Sequence, residues 1–166
     1  TIPTAPVGGN FPHITTTSPQ VGDINVQNNA IIDIDAGQKL SVCATFVGGS
    51  SQPSHINGAG ELELNGSTNQ AMSGKTEFQT LRLNNATGAT LAAGSRFDIF
   101  NEVALQSGTI TTGSGTLIFR STSDTQIGII DNFSAGYTGS ISGNIKAERY
   151  YHSSSTYDAH YMGSPI

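Results

Sequence analysis

The chain has 166 residues and a net charge of −5, and charged residues make up 11% of it, well under the roughly 25% of an average globular domain. That length fits one domain of ordinary size, and the acidic balance, with no cluster of Lys or Arg, excludes a nucleic-acid surface, which needs cations to displace counterions. No run of 18 apolar residues is present, so no transmembrane helix is predicted, and no signal peptide is read at the start, where Thr1 indicates a processed form or a piece of a longer chain.

Thr, Ser, Gly and Asn fill the places that charges usually take, which suits a secreted all-β protein. Residues 1–22 hold four of the six prolines. Proline fixes φ and lacks a donor, so this stretch is predicted to be extended, neither central strand nor helix. It reads either as a linker or as an arm lying on a neighbouring subunit, with Ile2, Val7, Phe11 and Ile14 as its apolar anchors.

From Ile24 the pattern changes to short apolar runs with Asn, Gly or Asp at each corner. Strands are predicted at 24–26, 31–35 and 39–47, then at 61–65 and 78–83. In these last two, Leu62, Leu64, Leu81 and Leu83 face inward and Glu61, Glu63 and Arg82 outward. Further strands are predicted at 89–91, 96–100, 102–106, 109–111, 116–120, 127–131, 140–142 and 145–151. Almost no segment supports a 3.6-residue apolar period, so little or no helix is expected. Cys43 is the single cysteine, which rules out an intrachain disulfide; within an apolar run it reads as a buried thiol.

Two matches at one offset of about 55 residues indicate an internal repeat. Gly58-Ala59-Gly60 with Leu62 and Leu64 matches Gly113-Ser114-Gly115 with Leu117 and Phe119. Asn28-Asn29-Ala30 followed by Ala36-Gly37 matches Asn84-Asn85-Ala86 followed by Ala93-Gly94. A strand–corner unit of roughly 20 residues makes one coil of a solenoid, so the repeat would span two to three coils. The predicted fold is a right-handed parallel β-helix over 23–151, with the extended N-terminal arm before it and a C-terminal tail at 152–166; a β-sandwich is the alternative. The tail region is rich in Tyr and reads as an aromatic plug that closes the last coil.

The order NNA…DAGQKLSV, INGAGELELNG, LRLNNATGATLAAGS, SGTITTGSGTLIFRS and GSISGNIKAERYY, ending in SPI, resembles the β-solenoid segments of large secreted and cell-surface proteins of Bacteroidetes-type bacteria, the surface proteins associated with type IX secretion. The resemblance covers about residues 24–166. It is looser in the tail, where Ala159-His160 stands in place of a frequent Trp-His pair. It implies an extracellular structural or adhesive role and carries no catalytic residues.

Constellations for chemistry are weak. His152, Asp158 and His160 have a spacing that zinc tolerates but that matches no standard motif. Asp33 with Asp35, and Glu61 with Glu63, are pairs on one strand face, read as solvated faces rather than as calcium ligands or a glycosidase pair. Asn65, Asn85 and Asn132 fit the glycosylation sequon by composition alone, and the Thr109/Thr111 pair lacks the regular recurrence of an ice-binding array. No phosphate, dinucleotide or hydrolase fingerprint is present, so no catalytic residue, metal or cofactor is assigned. The expectation is a non-enzymatic extracellular structural protein, self-associating head to tail or by arm exchange into a fibre, filament or surface layer, or forming an adhesin stalk. The alternative is a carbohydrate-binding or carbohydrate-cleaving β-helix that engages surface glycans by stacking Tyr151, Tyr157 and Tyr161 on sugar rings.

Overall fold

The computed structural model describes residues 1–4, 11–16, 18–123, 125–132 and 134–150, and these form a parallel β-solenoid with no helix. A partial first rung carries β1 (His13–Ile14) and β2 (Gln20–Val21). The next coil has β3 (Ile24–Asn25), β4 (Ile31–Ile34) and β5 (Lys39–Val42). Then come β6 (Phe46–Val47), β7 (Ser54–Asn57) and β8 (Glu61–Leu64). In the following two coils the second and third strands fuse: β9 (Gln70–Ser73) precedes β10 (Lys75–Asn84), and β11 (Ala89–Leu91) precedes β12 (Arg96–Ser107). The last coils hold β13 (Thr109–Thr111), β14 (Thr116–Phe119), β15 (Ile129–Asp131), β16 (Ser140–Ser142) and β17 (Ile145–Ala147).

Strands of equal rank stack in three columns. One runs β1-β4-β7-β10-β12-β14-β17; a second, on the other half of the same 11-stranded sheet, runs from β2 through β5 and β8 into the later parts of β10 and β12 and on to β15. The third is the 6-stranded sheet of β3, β6, β9, β11, β13 and β16. Every pair of named strands is parallel, which fits the solenoid and not the β-sandwich. One coil is about 22 residues, the separation of the side chains that bond from one coil to the next.

Because register is fixed, like chemistry lies over like. Leu40, Leu62, Leu81, Val103 and Ile130 form one inward file, and Ile32, Ile56, Phe78, Ile99 and Phe119 form another. Nearly all of these are fully buried, each contributing about 1.5–3 kcal/mol of transfer free energy. Phe46, Phe78 and Phe97 meet at the axis with ring centroids 5.4–6.1 Å apart and steep interplanar angles, the geometry that aromatic quadrupoles favour. Corners need tight backbone approach. A Cβ on Gly60 would lie 2.4 Å from both Asp35 O and Ile34 Cγ2, so only glycine fits there. Asn29, at φ 57°, is the one positive-φ residue other than glycine among the described residues.

Three sequence expectations are corrected. Segments matched at the offset of about 55 do not stack: Leu62 pairs with Leu40 and Leu81, whereas Leu117 pairs with Phe97 and Ile145. The offset is about two and a half coils, and it relates different corners that share one chemistry. Asn28 Oδ1 accepts the amides of Ser51 and Gln52 on the next coil, and its counterpart Asn84 Oδ1 accepts from Ser107 Oγ, also one coil on. Second, the run 39–47 is two strands, not one; the chain turns at Cys43–Thr45, and the buried Gln70 side chain donates to Val42 O and Ala44 O at that bend. Third, β7 and β9 escape a hydrophobic reading because Ser54 and Gln70 occupy buried positions beside Ile56 and Met72.

The proline-rich stretch lies on this chain's own first coil. Ile2 bridges Val26, β1 pairs with β4, and β2 pairs with β5. Ile2, Phe11 and Ile14 pack against the core, while Val7 lies outside the described residues. The carbonyls of Pro12 and Pro19 accept the amides of Asp33 and Ser41, so these prolines serve the ladder as acceptors at an edge rung. The Tyr-rich segment at 151–166, with Tyr151, Tyr157, Tyr161, His152, Asp158 and His160, also lies outside the described residues.

Phe78→Ala empties the centre of the aromatic cluster. It is expected to lower stability by about 3–5 kcal/mol, read as a drop in the urea midpoint; a loss under 1 kcal/mol would contradict axial packing at this rung.

Candidate functional site

Outward side chains on the second column form bonds from coil to coil. Glu63 points away from the core yet is only 2% exposed. Its Oε2 accepts from Ser41 Oγ at 2.7 Å and lies 3.1 Å from Lys39 Nζ, and its Oε1 accepts from Asn84 Nδ2 at 3.2 Å. Burial alone would raise its pKa, but these hydrogen bonds and the Lys39 charge outweigh it and hold the carboxyl below the usual range. The expectation of a solvated Glu61/Glu63 face is therefore corrected at Glu63, whereas Asp33 and Asp35 are exposed as expected, with Asp35 Oδ1 2.9 Å from His13 Nε2.

Arg82 gathers the next coil. Its Nε donates to Glu61 Oε1 at 2.8 Å and its Nη1 to Gln106 Oε1 at 3.3 Å and to the Tyr137 hydroxyl; its guanidinium carbon sits 5.8 Å from the Tyr137 ring centroid. On the first column, buried Asp98 is held by Arg96 through both carboxylate oxygens and by Arg120, which also pairs with Glu148. This cluster is self-contained: two guanidinium groups close on one carboxylate. Cys43 is half-buried, with Gln20 Nε2 2.7 Å from its sulfur and its thiol 3.2 Å from Asn65 Oδ1. Asn85 is buried and uses its amide in the corner, so it is no glycan acceptor in the folded chain.

Where the first and second columns meet, a groove of about 490 Å³ crosses successive coils. It runs from Ser18 past Gln38 and Lys39, over Ala59, Gly60 and Glu61, to Thr80, Arg82, Asn101 and Glu102. Gly37 and Ala59, both exposed, keep its floor low, and Gly60 lets the coils beneath approach closely. Asn101 Nδ2 donates to Thr80 Oγ1 at 3.1 Å. Glu102 accepts no hydrogen bond among the described residues, and its pKa is raised by burial, then by the nearby Asp131 charge, with Arg82 opposing.

None of these groove residues is singled out by motif. The available signal is the coil period, which sets Lys39, Glu61, Arg82 and Glu102 about one coil apart, and it becomes readable only once one coil is known to be about 22 residues. Among the described residues no group of three or more His, Cys, Asp or Glu is placed to hold a metal, and no helix is long and apolar enough to cross a membrane. No family model matches the chain, and neither a curated protein nor a solved structure is similar to it.

The two glutamates respond to pH in opposite directions. With a folded pKa below the ordinary value, Glu63 contributes stability that is complete above about pH 4.5 and lost as pH falls through its folded pKa. Glu63→Ala should cost about 2 kcal/mol at pH 7, with the gap to wild type closing in acid denaturant titrations; a gap that persists at low pH would contradict the assignment. Glu102, with a raised pKa, opposes folding once ionised. Glu102→Gln should raise the melting temperature at pH 7 and leave it unchanged below the ordinary glutamate pKa, as followed by circular dichroism at both pH values.

Proposed function

We propose that this chain is a non-enzymatic structural element of the cell exterior, a β-solenoid that joins further copies end to end in a fibre or surface layer, or spaces an adhesin from the cell. The observation that carries this reading is the apolar final rung. Ile145 is 42% exposed although it continues the inward file of Phe97 and Leu117, and Tyr150 after it is exposed as well. Ile129, 50% exposed, lies one coil earlier in the outward file of Glu102 and belongs to the flank. A rung whose inward position holds an exposed isoleucine offers a seat to another apolar layer. The opposite end carries Ile2, Phe11, Ile14 and Val21, half-buried against the core. Two unlike ends that fit each other make a heterologous contact, and such contacts build open filaments.

The extracellular placement rests on the low charge and on the resemblance of SGTITTGSGTLIFRS and GSISGNIKAERYY to bacterial surface solenoids. Arm exchange is a variant of the same contact: the segment that lies over β3, β4 and β5 in its own chain would lie over those strands in the next.

The test is sedimentation and negative-stain microscopy of the wild type beside Ile145→Asp. The wild type should form concentration-dependent assemblies, and the charged variant should remain monomeric with an unchanged far-UV spectrum. A wild type that stays monomeric at every concentration, or an Ile145→Asp variant that polymerises equally well, would overturn end-to-end association.

A further inference from the structure

We infer that the groove between Ser18 and Glu102 binds an extended, uncharged, hydroxyl-rich chain, that is, a neutral polysaccharide lying along the solenoid axis. Its shape is the first argument. The lining comes from five successive rungs, and rungs are spaced about 4.8 Å apart, so the groove extends about 19 Å along the axis. A small compact ligand would leave most of it empty, whereas a linear polymer repeats along it as the rungs do.

Its chemistry is the second. The two cations in the groove are already engaged, Lys39 with Glu63 and Arg82 with Glu61. An anionic chain would have to break these pairs and approach Glu61 and Glu102 in a protein of net charge −5. The rest of the lining offers hydroxyl, amide and carboxylate groups on Ser18, Gln38, Thr80, Asn101 and Glu102. Asn101 donates to Thr80 Oγ1 and Ser18 Oγ accepts the Lys39 amide, which leaves the Ser18 and Thr80 hydroxyl protons, Asn101 Oδ1, the Gln38 amide and the Glu102 carboxylate for a ligand. These donate to and accept from neutral hydroxyls, and the Glu102 carboxylate, half-buried in the groove, is a strong charge-assisted acceptor for them. Large apolar side chains are missing from the lining, so an aliphatic or membrane ligand has nothing to bury against. The low floor is the third argument: at Gly37, Ala59 and Gly60 almost no side chain rises between the ligand and the backbone.

Apart from Ser18, which belongs to the first rung, the lining comes from inner coils, and the binding experiment reads the groove without requiring self-association. It also differs from stacking by Tyr151, Tyr157 and Tyr161, which lie outside the described residues.

The experiment is affinity electrophoresis of the full chain in native gels holding a soluble β-glucan, a galactomannan, a xylan or alginate. The wild type should be retarded by at least one of the three neutral polymers, with retardation surviving high salt. Ala59→Trp places a bulky ring on the floor at an exposed position and should weaken binding more than tenfold with an unchanged melting temperature. Glu102→Gln should weaken it about tenfold, the loss of one charge-assisted hydrogen bond. No retardation by any neutral polymer, retardation by alginate alone, or equal retardation of Ala59→Trp each overturns the assignment.

Discussion

Parallel stacking in register is the constraint on which the rest of this molecule depends. A parallel ladder sets each residue beside its counterpart one coil away, so a coil cannot choose its inward residues freely. Leu40, Leu62 and Leu81 share a file because each forms the floor of the next. The same rule acts outward, where a charge on one coil faces whatever the next coil presents. Like charges there repel at strand spacing, and opposite or neutral partners are supplied at most such places: Lys39 and Ser41 meet Glu61 and Glu63, and Arg82 lies between Glu61 and Gln106. Where Glu77 meets Asp98 in register, Arg96 and Arg120 close on the aspartate. The few charges of the chain are thus largely spent on holding coils together.

The same constraint explains how much of the fold was legible. Alternation of Leu and charged residues at Glu61–Leu64 reads directly as a strand with an inner and an outer face, because the coil interior is dry and its exterior polar. Corners were legible too, since a sharp bend needs Asn or Gly whatever the surroundings. The coil length of roughly 20 residues was legible, but for a related reason the matched segments do not stack on one another. With three corners per coil, each satisfied by similar residues, Asn28 and Asn84 resemble each other although they stand at corners between different columns. Local chemistry records the kind of corner, not its rank. The hidden strands β7 and β9 follow from the stack as well: Ser54 reaches Thr76 Oγ1 at 2.9 Å, and Gln70 bonds to backbone carbonyls. Each polar group is buried because a partner on a neighbouring coil, unseen in any local window, satisfies it.

Glu63 and Glu102 show what burial does to two carboxylates on the same column. The first has donors from Ser41, Lys39 and Asn84 and becomes a fastener between coils. The second lies half-buried in the groove near Asp131, accepts no hydrogen bond among the described residues, and has its pKa raised by burial and by that neighbouring charge. The groove on the flank and the exposed Ile145 at the tip are thus the two surfaces on which the proposed contacts rest.

These two surfaces do not compete, because a solenoid separates its ends from its flanks. End contacts extend the inward files and are apolar; flank contacts cross the outward files and are polar. Copies joined tip to tip would place their grooves on rods that share an axis, and a polymer bridging several of them would be held by many weak sites at once. Modest affinity per groove would then be enough for firm attachment of the assembly. Coil stacking, which folds one chain by matching each rung to the next, would on this view also set the spacing at which the assembled surface meets a repeating glycan.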